Sequence, residues 1–278
     1  MASDGVGSVA RQLGWYFGGL VVVYVAGVAL YWPESGNEPD ENWALVVMMA
    51  PTAGALLARF LGGGRIQWGR LSLWIVAGLL PAVFALVAYM LGAAFGWDTE
   101  DPDVLLAALA GAPLSIAIAA VSATGEEIGW RGFLWPLMRE RASFLRTSVI
   151  VGCIWWLYHV PFILLGWYGT ISGLPAFTVG IAGFTLFVGV LTDRSRSIWP
   201  SVMAHGAWNA LVATSFAASE GVEDVPAFSG SDALLGEFGW LAALSSLLLG
   251  VLATWWHLSR PMPDDVDGPP EVAAVPNA

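Results

Sequence analysis

Three short polar clusters stand inside otherwise apolar stretches, and together they carry the groups needed to activate water. Gly125-Glu126-Glu127-Ile128-Gly129-Trp130-Arg131 offers two adjacent carboxylates and a guanidinium. Trp155-Trp156-Leu157-Tyr158-His159 offers an imidazole, and His205-Gly206-Ala207-Trp208-Asn209 a second imidazole and an amide. If a helix runs through the first cluster, Glu127 and Arg131 stack on one face as an ion pair, whereas Glu126 points about 100° away and stays free. His205 and Asn209, also four apart, share a face. Attack of water on a carbonyl needs a base, an orienting group and donors for the oxyanion, and these side chains could supply all three. Each cluster alone also has a plain structural explanation: a charged helix end, a histidine bonded to a backbone carbonyl, or a polar pair holding helices together.

The elements that must position these groups are membrane helices. Of 278 residues 57% are hydrophobic and 12% charged, with a mean hydropathy of +0.68, a composition suited to lipid rather than water. Runs of the roughly 20 apolar residues that a span requires fall near 14–32, 43–61, 71–97, 104–125, 148–168, 174–191, 198–216 and 234–257. The expected fold class is therefore all-α, a polytopic membrane protein with eight transmembrane helices. The first run ends in Tyr31-Trp32-Pro33 without a small-residue cleavage site and reads as a retained helix. Pro51, Pro81 and Pro113 are expected to kink their helices rather than break them. The first cluster then sits at the inner end of the fourth span, and His159 lies about 16 Å into the fifth, near mid-membrane. Ionisable side chains at such depth are costly and mark functional sites.

Charge fixes the expected orientation. The chain has 11 arginines, no lysine and 22 acidic residues. With eight alternating helices, all of Arg11, Arg59, Arg65, Arg70, Arg131, Arg139, Arg141, Arg146, Arg194, Arg196 and Arg260 fall on one side. The opposite connections hold Glu34, Glu38, Asp40, Glu41, Asp98, Glu100, Asp101, Asp103, Glu220, Glu223, Asp224 and Asp232 without a base. Positive residues stay inside, so both termini are expected in the cytoplasm and the protein in the cell membrane. Nucleic acid is a poor partner for so acidic a chain. An acidic, lysine-free composition further suggests adaptation to strong salt, with better folding and activity at molar salt than at low salt. Residues 1–260 form the expected membrane domain, and 261–278, rich in acid and proline, a disordered cytoplasmic tail. Cys153 is expected as a small buried hydrophobe and His257 as an interfacial residue. Gly62-Gly63-Gly64 lacks the following Lys-Ser/Thr of a phosphate cradle.

At the three clusters the sequence resembles the CPBP family, the CAAX prenyl endopeptidases and bacteriocin-processing proteins also called Abi. Its pattern is Glu-Glu-x-x-x-Arg, an aromatic-x-x-x-His and His-x-x-x-Asn in successive membrane helices. Here these stand as Glu126-Glu127 with Arg131, Trp155 with His159, and His205 with Asn209, within Ala123 to Leu211. Trp155 replaces the more usual Phe, which bears on the packing around His159. The resemblance implies an intramembrane endopeptidase with an eight-helix core acting on a membrane-embedded or lipid-modified peptide. In it Glu126 is the general base, His159 binds and polarises the water, Glu127 and Arg131 brace the site, and His205 and Asn209 donate to the oxyanion. Glu126, His159 and His205 could instead hold a catalytic zinc. The chain has no His-Glu-x-x-His motif and Asn209 suits oxyanion donation, so metal-independent chemistry is the preferred expectation and zinc the alternative. The competing readings are a non-catalytic immunity or partner-binding membrane protein, and a transporter in which Glu and His relay protons.

Overall fold

The computed structural model describes residues 2–30, 32, 42–217 and 225–261. The acidic residues Glu34, Glu38, Asp40, Glu41, Glu220, Glu223 and Asp224 and the expected tail from 262 onward lie outside the described residues.

Eight helical segments follow one another: α1 (Ala2–Leu30), α2 (42–62), α3 (Trp74–Ala94), α4 (Pro102–Arg139), α5 (Phe144–Leu165), α6 (Leu174–Ser195), α7 (199–215) and α8 (Trp240–Leu258). All but α7 are long and apolar enough to cross a membrane. In α7, nine α-helical residues (Trp199–Ala207) run into an eight-residue π-helical stretch (Trp208–Ser215), slightly short of a full span. The chain is thus an all-α polytopic membrane protein, with seven clear spans and a shorter, largely buried α7 in place of the eighth.

Two local expectations change. Pro51 and Pro81 each sit in the first turn of a new helical piece, after interruptions at Met49 and at Gly78–Leu79, so they break α2 and α3 rather than kink them. A proline at a helix start gives up an N–H that would be unbonded anyway. Pro113 alone stays inside a continuous helix. The fourth helix does not end near residue 125 but continues to Arg139 through a π-helical turn at Trp130–Leu134. Glu126 and Glu127 therefore lie mid-helix. Pairing of Glu127 with Arg131 inside the helix removes the reason for charge to end it.

The bundle has two chemically distinct ends. At one, Gln67 N donates to Gly132 O at 2.7 Å, Ile198 N to Trp68 O at 3.2 Å, and Arg194 Nη1 to Pro261 O at 2.7 Å. Arg11 rests against the turn at Gly63 at this end, and Arg139 pairs with Asp193 at 2.8 Å. At the other end, β1 (Asp98–Glu100) pairs antiparallel with β2 (Phe228–Gly230), and Trp32 packs on Trp167. Among the described residues, Asp98, Glu100, Asp101 and Asp103 of the acidic connections lie at or next to this strand pair.

His257, in the last turn of α8 at the base-bearing end, is buried against its neighbours: its Nδ1 accepts from Arg194 Nε at 3.0 Å. Cys153 is exposed, not buried. In lipid the outward face of a helix is itself apolar, so an apolar run does not show which side faces in.

Two glycines bring α4 against the break in α2. A Cβ on Gly129 would lie 2.5 Å from the Pro51 carbonyl oxygen, and one on Gly125 would lie 2.9 Å from the Met48 carbonyl oxygen. This small-x-x-x-small pair lets the backbones touch on either side of Glu126 and Glu127, and Thr52 Oγ1 donates to Gly125 O at 2.5 Å across the contact.

Candidate active site

A cavity of about 240 Å³ is walled by α2, α4, α5, α6 and α7, and its lining includes Glu126, His159, His205 and Asn209. The three sequence clusters therefore meet around one space. Glu127 and Arg131 lie behind it, both 0% exposed, joined through Arg131 Nη1 and Glu127 Oε1 at 2.9 Å. This is the i,i+4 pair expected from the sequence.

Glu126 makes none of the described ion pairs, but it is hydrogen-bonded. Its Oε2 accepts from Trp130 Nε1 at 3.1 Å and from Trp155 Nε1 at 2.8 Å, so two indoles fix the carboxylate while engaging only one of its oxygens. Trp155 also places its ring face 4.2 Å from the Arg131 guanidinium carbon, tying the α5 motif to the α4 brace.

The two histidines are held in the same sense. His159 Nδ1 lies 2.8 Å from Trp155 O, and a carbonyl can only accept, so Nδ1 carries the proton. His205 Nδ1 lies 3.0 Å from Glu127 Oε1, and a carboxylate likewise accepts. In each neutral ring the lone pair is then on Nε2, leaving that nitrogen to act as an acceptor. Glu127 thus bonds both Arg131 and His205 through one oxygen and sets the tautomer of the histidine as well as the pose of the helix.

The cavity's position departs from expectation. Its wall uses the starts of α2 and α6, the later parts of α5 and α7, and the connection residues Tyr168 and Glu237. All of these are on the acidic-connection side, so the site lies toward that end rather than in the base-bearing half. Counting about 1.5 Å per residue from Phe144 puts His159 roughly 22 Å along α5, beyond its midpoint.

Sequence reasoning missed three contributors. Trp130 and Trp155 were legible only as aromatics, since an indole's use as a donor depends on what it faces. Glu237 stands near the start of the run 234–257 and was read only as part of that span, without a partner in the three motifs to single it out.

The metal alternative meets a specific obstacle. Among the described residues, no group of three His, Cys, Asp or Glu side chains is gathered as a metal-binding set. Glu126, His159 and His205 as placed do not fit a preassembled three-ligand zinc site, although each histidine presents an unprotonated Nε2.

Residues 107–211 match the family model for type II CAAX prenyl endopeptidase, Rce1-like. The matched stretch contains every motif residue lining the cavity or bracing it. This segment is similar to the CAAX protease family. Within the Rce1-like segment, the Glu-Glu-x-x-x-Arg, Trp-x-x-x-His and His-x-x-x-Asn residues are those whose geometry is given above. A curated relative, CAAX prenyl protease 2 of Methanococcus maripaludis, is 32% identical over 73 residues, which cover 22% of this chain and 27% of the relative. The match thus spans about a quarter of that relative's length.

Proposed function

We propose that this protein is an intramembrane endopeptidase that hydrolyses a membrane-embedded or lipid-modified peptide, with a prenylated C-terminal segment as the substrate class. The observation that carries the reading is the convergence of Glu126, His159, His205 and Asn209 from three helices on one cavity, with Glu126 held by two indoles.

The chemistry follows from the hydrogen bonds. A water between Glu126 and His159 Nε2 gives a proton to the Glu126 carboxylate as its oxygen attacks the scissile carbonyl carbon. His159 accepts the water's other proton in a hydrogen bond and orients its lone pair, because its Nδ1–H is committed to Trp155 O. The Asn209 amide donates to the developing oxyanion. His205 Nε2 adds a second donor when the ring is doubly protonated, with the Glu127 carboxylate 3.0 Å from Nδ1 as the compensating charge. Collapse of the tetrahedral intermediate breaks the C–N bond, and Glu126 returns its proton to the leaving amine. Catalysis is independent of metal on this reading. The base-bearing end and both termini face the cytoplasm of the cell membrane.

The test is cleavage of a farnesylated reporter peptide by full-length protein in detergent. Glu126→Gln should lower turnover by roughly 10²–10⁴-fold, the range of a positioned general base. The melting temperature should hold, and activity should persist after metal removal. Undiminished cleavage by the variant would refute the role of Glu126, and zinc-dependent turnover would refute the metal-free mechanism.

A further inference from the structure

The cavity contains a second carboxylate that the mechanism above does not use. Glu237, on the connection leading into α8, lines the wall opposite the base-bearing end. Its Oε2 accepts from Tyr168 Oη at 2.5 Å and its Oε1 from Trp208 Nε1 at 2.9 Å. Both donors are neutral. A carboxylate offers about four acceptor positions, so two remain and the charge is uncompensated.

Among the described residues no arginine pairs with it. The sequence has no lysine, and Arg131, Arg139, Arg141 and Arg194 are engaged by Glu127, Asp193, Glu140 and His257. Among the described residues Glu237 makes no ion pair. Its neighbourhood is aromatic: the Tyr168 ring lies 5.2 Å from Phe238 and 5.9 Å from Phe177, and 5.5 Å from His159. A carboxylate beside π faces and shielded from bulk water attracts a cation more strongly than one in open solvent.

We infer that Glu237 is a specificity-determining residue that takes a cationic side chain, lysine or arginine, of the peptide occupying the cavity. This rests on the endopeptidase reading for the word substrate, but the recognition can be measured without cleavage. It also excludes an acidic residue at the same place, because Glu126 and Glu237 both face one small space. The opposing idea is that Glu237 merely ties the α5–α6 connection to α7, as its two hydrogen bonds do.

Binding separates the two. Full-length protein carrying Glu126→Gln is titrated in detergent with fluorescent farnesylated peptides that differ at one scanned position, holding lysine, norleucine or glutamate. At one position lysine should bind about tenfold tighter than norleucine, and glutamate weaker than either, the size expected of one partly shielded charge pair. Adding Glu237→Gln should bring lysine and norleucine within about twofold of each other. Tyr168→Phe, which keeps the charge and removes one hydrogen bond, should preserve the preference. Molar salt should reduce it.

Equal binding of lysine and norleucine peptides at every position, absence of binding by all of them, or a preference that survives Glu237→Gln would overturn the inference. So would loss of the preference in Tyr168→Phe to the same extent, which would mark a structural tie. Charge-selective binding with no cleavage by the native protein would sink the endopeptidase reading alone, and cleavage indifferent to charge would sink this one alone.

Discussion

Removal of Arg131 by Arg131→Met should be among the most damaging single changes in the chain, and the structure allows its size to be worked out. Arg131 and Glu127 are fully buried and 2.9 Å apart, so the substitution leaves the Glu127 carboxylate with only the His205 Nδ1–H beside it. Stranding one partner of a buried pair costs about 3–5 kcal/mol. For a chain of this size each kcal/mol moves the melting temperature by about 2–4 °C, so a fall of roughly 6–20 °C is expected. The pair is not ideally satisfied: Glu127 Oε2 and Arg131 Nε and Nη2 have no hydrogen-bond partner among the described residues. Replacing both residues should therefore recover most of the loss, because a buried pair exchanged for uncharged groups is often neutral. The assay is thermal unfolding in detergent of Arg131→Met, Glu127→Gln and the double variant, read as a double-mutant cycle. A melting temperature within about 2 °C of the parent for Arg131→Met, or a double variant as unstable as the sum of the singles, would refute the brace.

Trp155→Phe restores the aromatic more usual in the motif but removes the N–H that Glu126 accepts at 2.8 Å. A hydrogen bond to a charged group contributes about 1.5–3 kcal/mol, so kcat should fall about 10–100-fold with KM nearly unchanged, as steady-state kinetics would report. Gly129→Ala drives a methyl onto the Pro51 backbone and should destabilise by about 1–3 kcal/mol or more in thermal melts. Gly132→Ala, whose Cβ would meet Ile66 Cγ2 at 3.3 Å, should cost less. Burial, and secondarily Glu100, raises the pKa of Asp98, whose two carboxylate oxygens have no hydrogen-bond partner in the chain. A raised folded value means that the fold prefers the protonated acid. That contribution is whole below the unfolded value of about 3.9 and is lost as pH rises through the folded one. Asp98→Asn should therefore raise the melting temperature near pH 7 and leave it unchanged near about pH 3.5, and a gain independent of pH would contradict the argument.

The residues that meet in the cavity were legible because lipid makes each of them costly unless it has a partner: an acid, two imidazoles and an amide in apolar runs had to converge. The Glu127–Arg131 pair followed from helical spacing alone. What spacing could not supply was the second partner of a group. Glu126 stays outside the ion pair, as its spacing implies, but its bonds to Trp130 on its own helix and to Trp155 on another were not legible, and only the approach of α4 and α5 creates the latter. Hydropathy found the spans but misplaced the end of α4, because a window that counts charges cannot tell a charge neutralised four residues away from one that ends a helix. The same limit applies to α7, where a run with the composition of a span is partly π-helical and shorter.

Which compartment the cavity faces follows from charge rather than from the motifs, and it can be tested directly. The arginine-bearing end includes Arg11 and Arg260, so the positive-inside tendency predicts that this end lies in the cytoplasm. The cavity wall is completed by Tyr168 and Glu237 from the other end. A phosphatase fused after Ala278 should then be silent and one inserted in the connection at Thr170 active. On that orientation the lipid-modified peptide proposed above would reach Glu126 from the outer half of the membrane, after export. The reverse pattern would put the acidic connections and the cavity on the cytoplasmic side, where newly lipid-modified chains could enter directly, and arginine count would then not set the orientation of this bundle. The two outcomes point to different substrate pools, so the fusions should precede any search for the natural peptide.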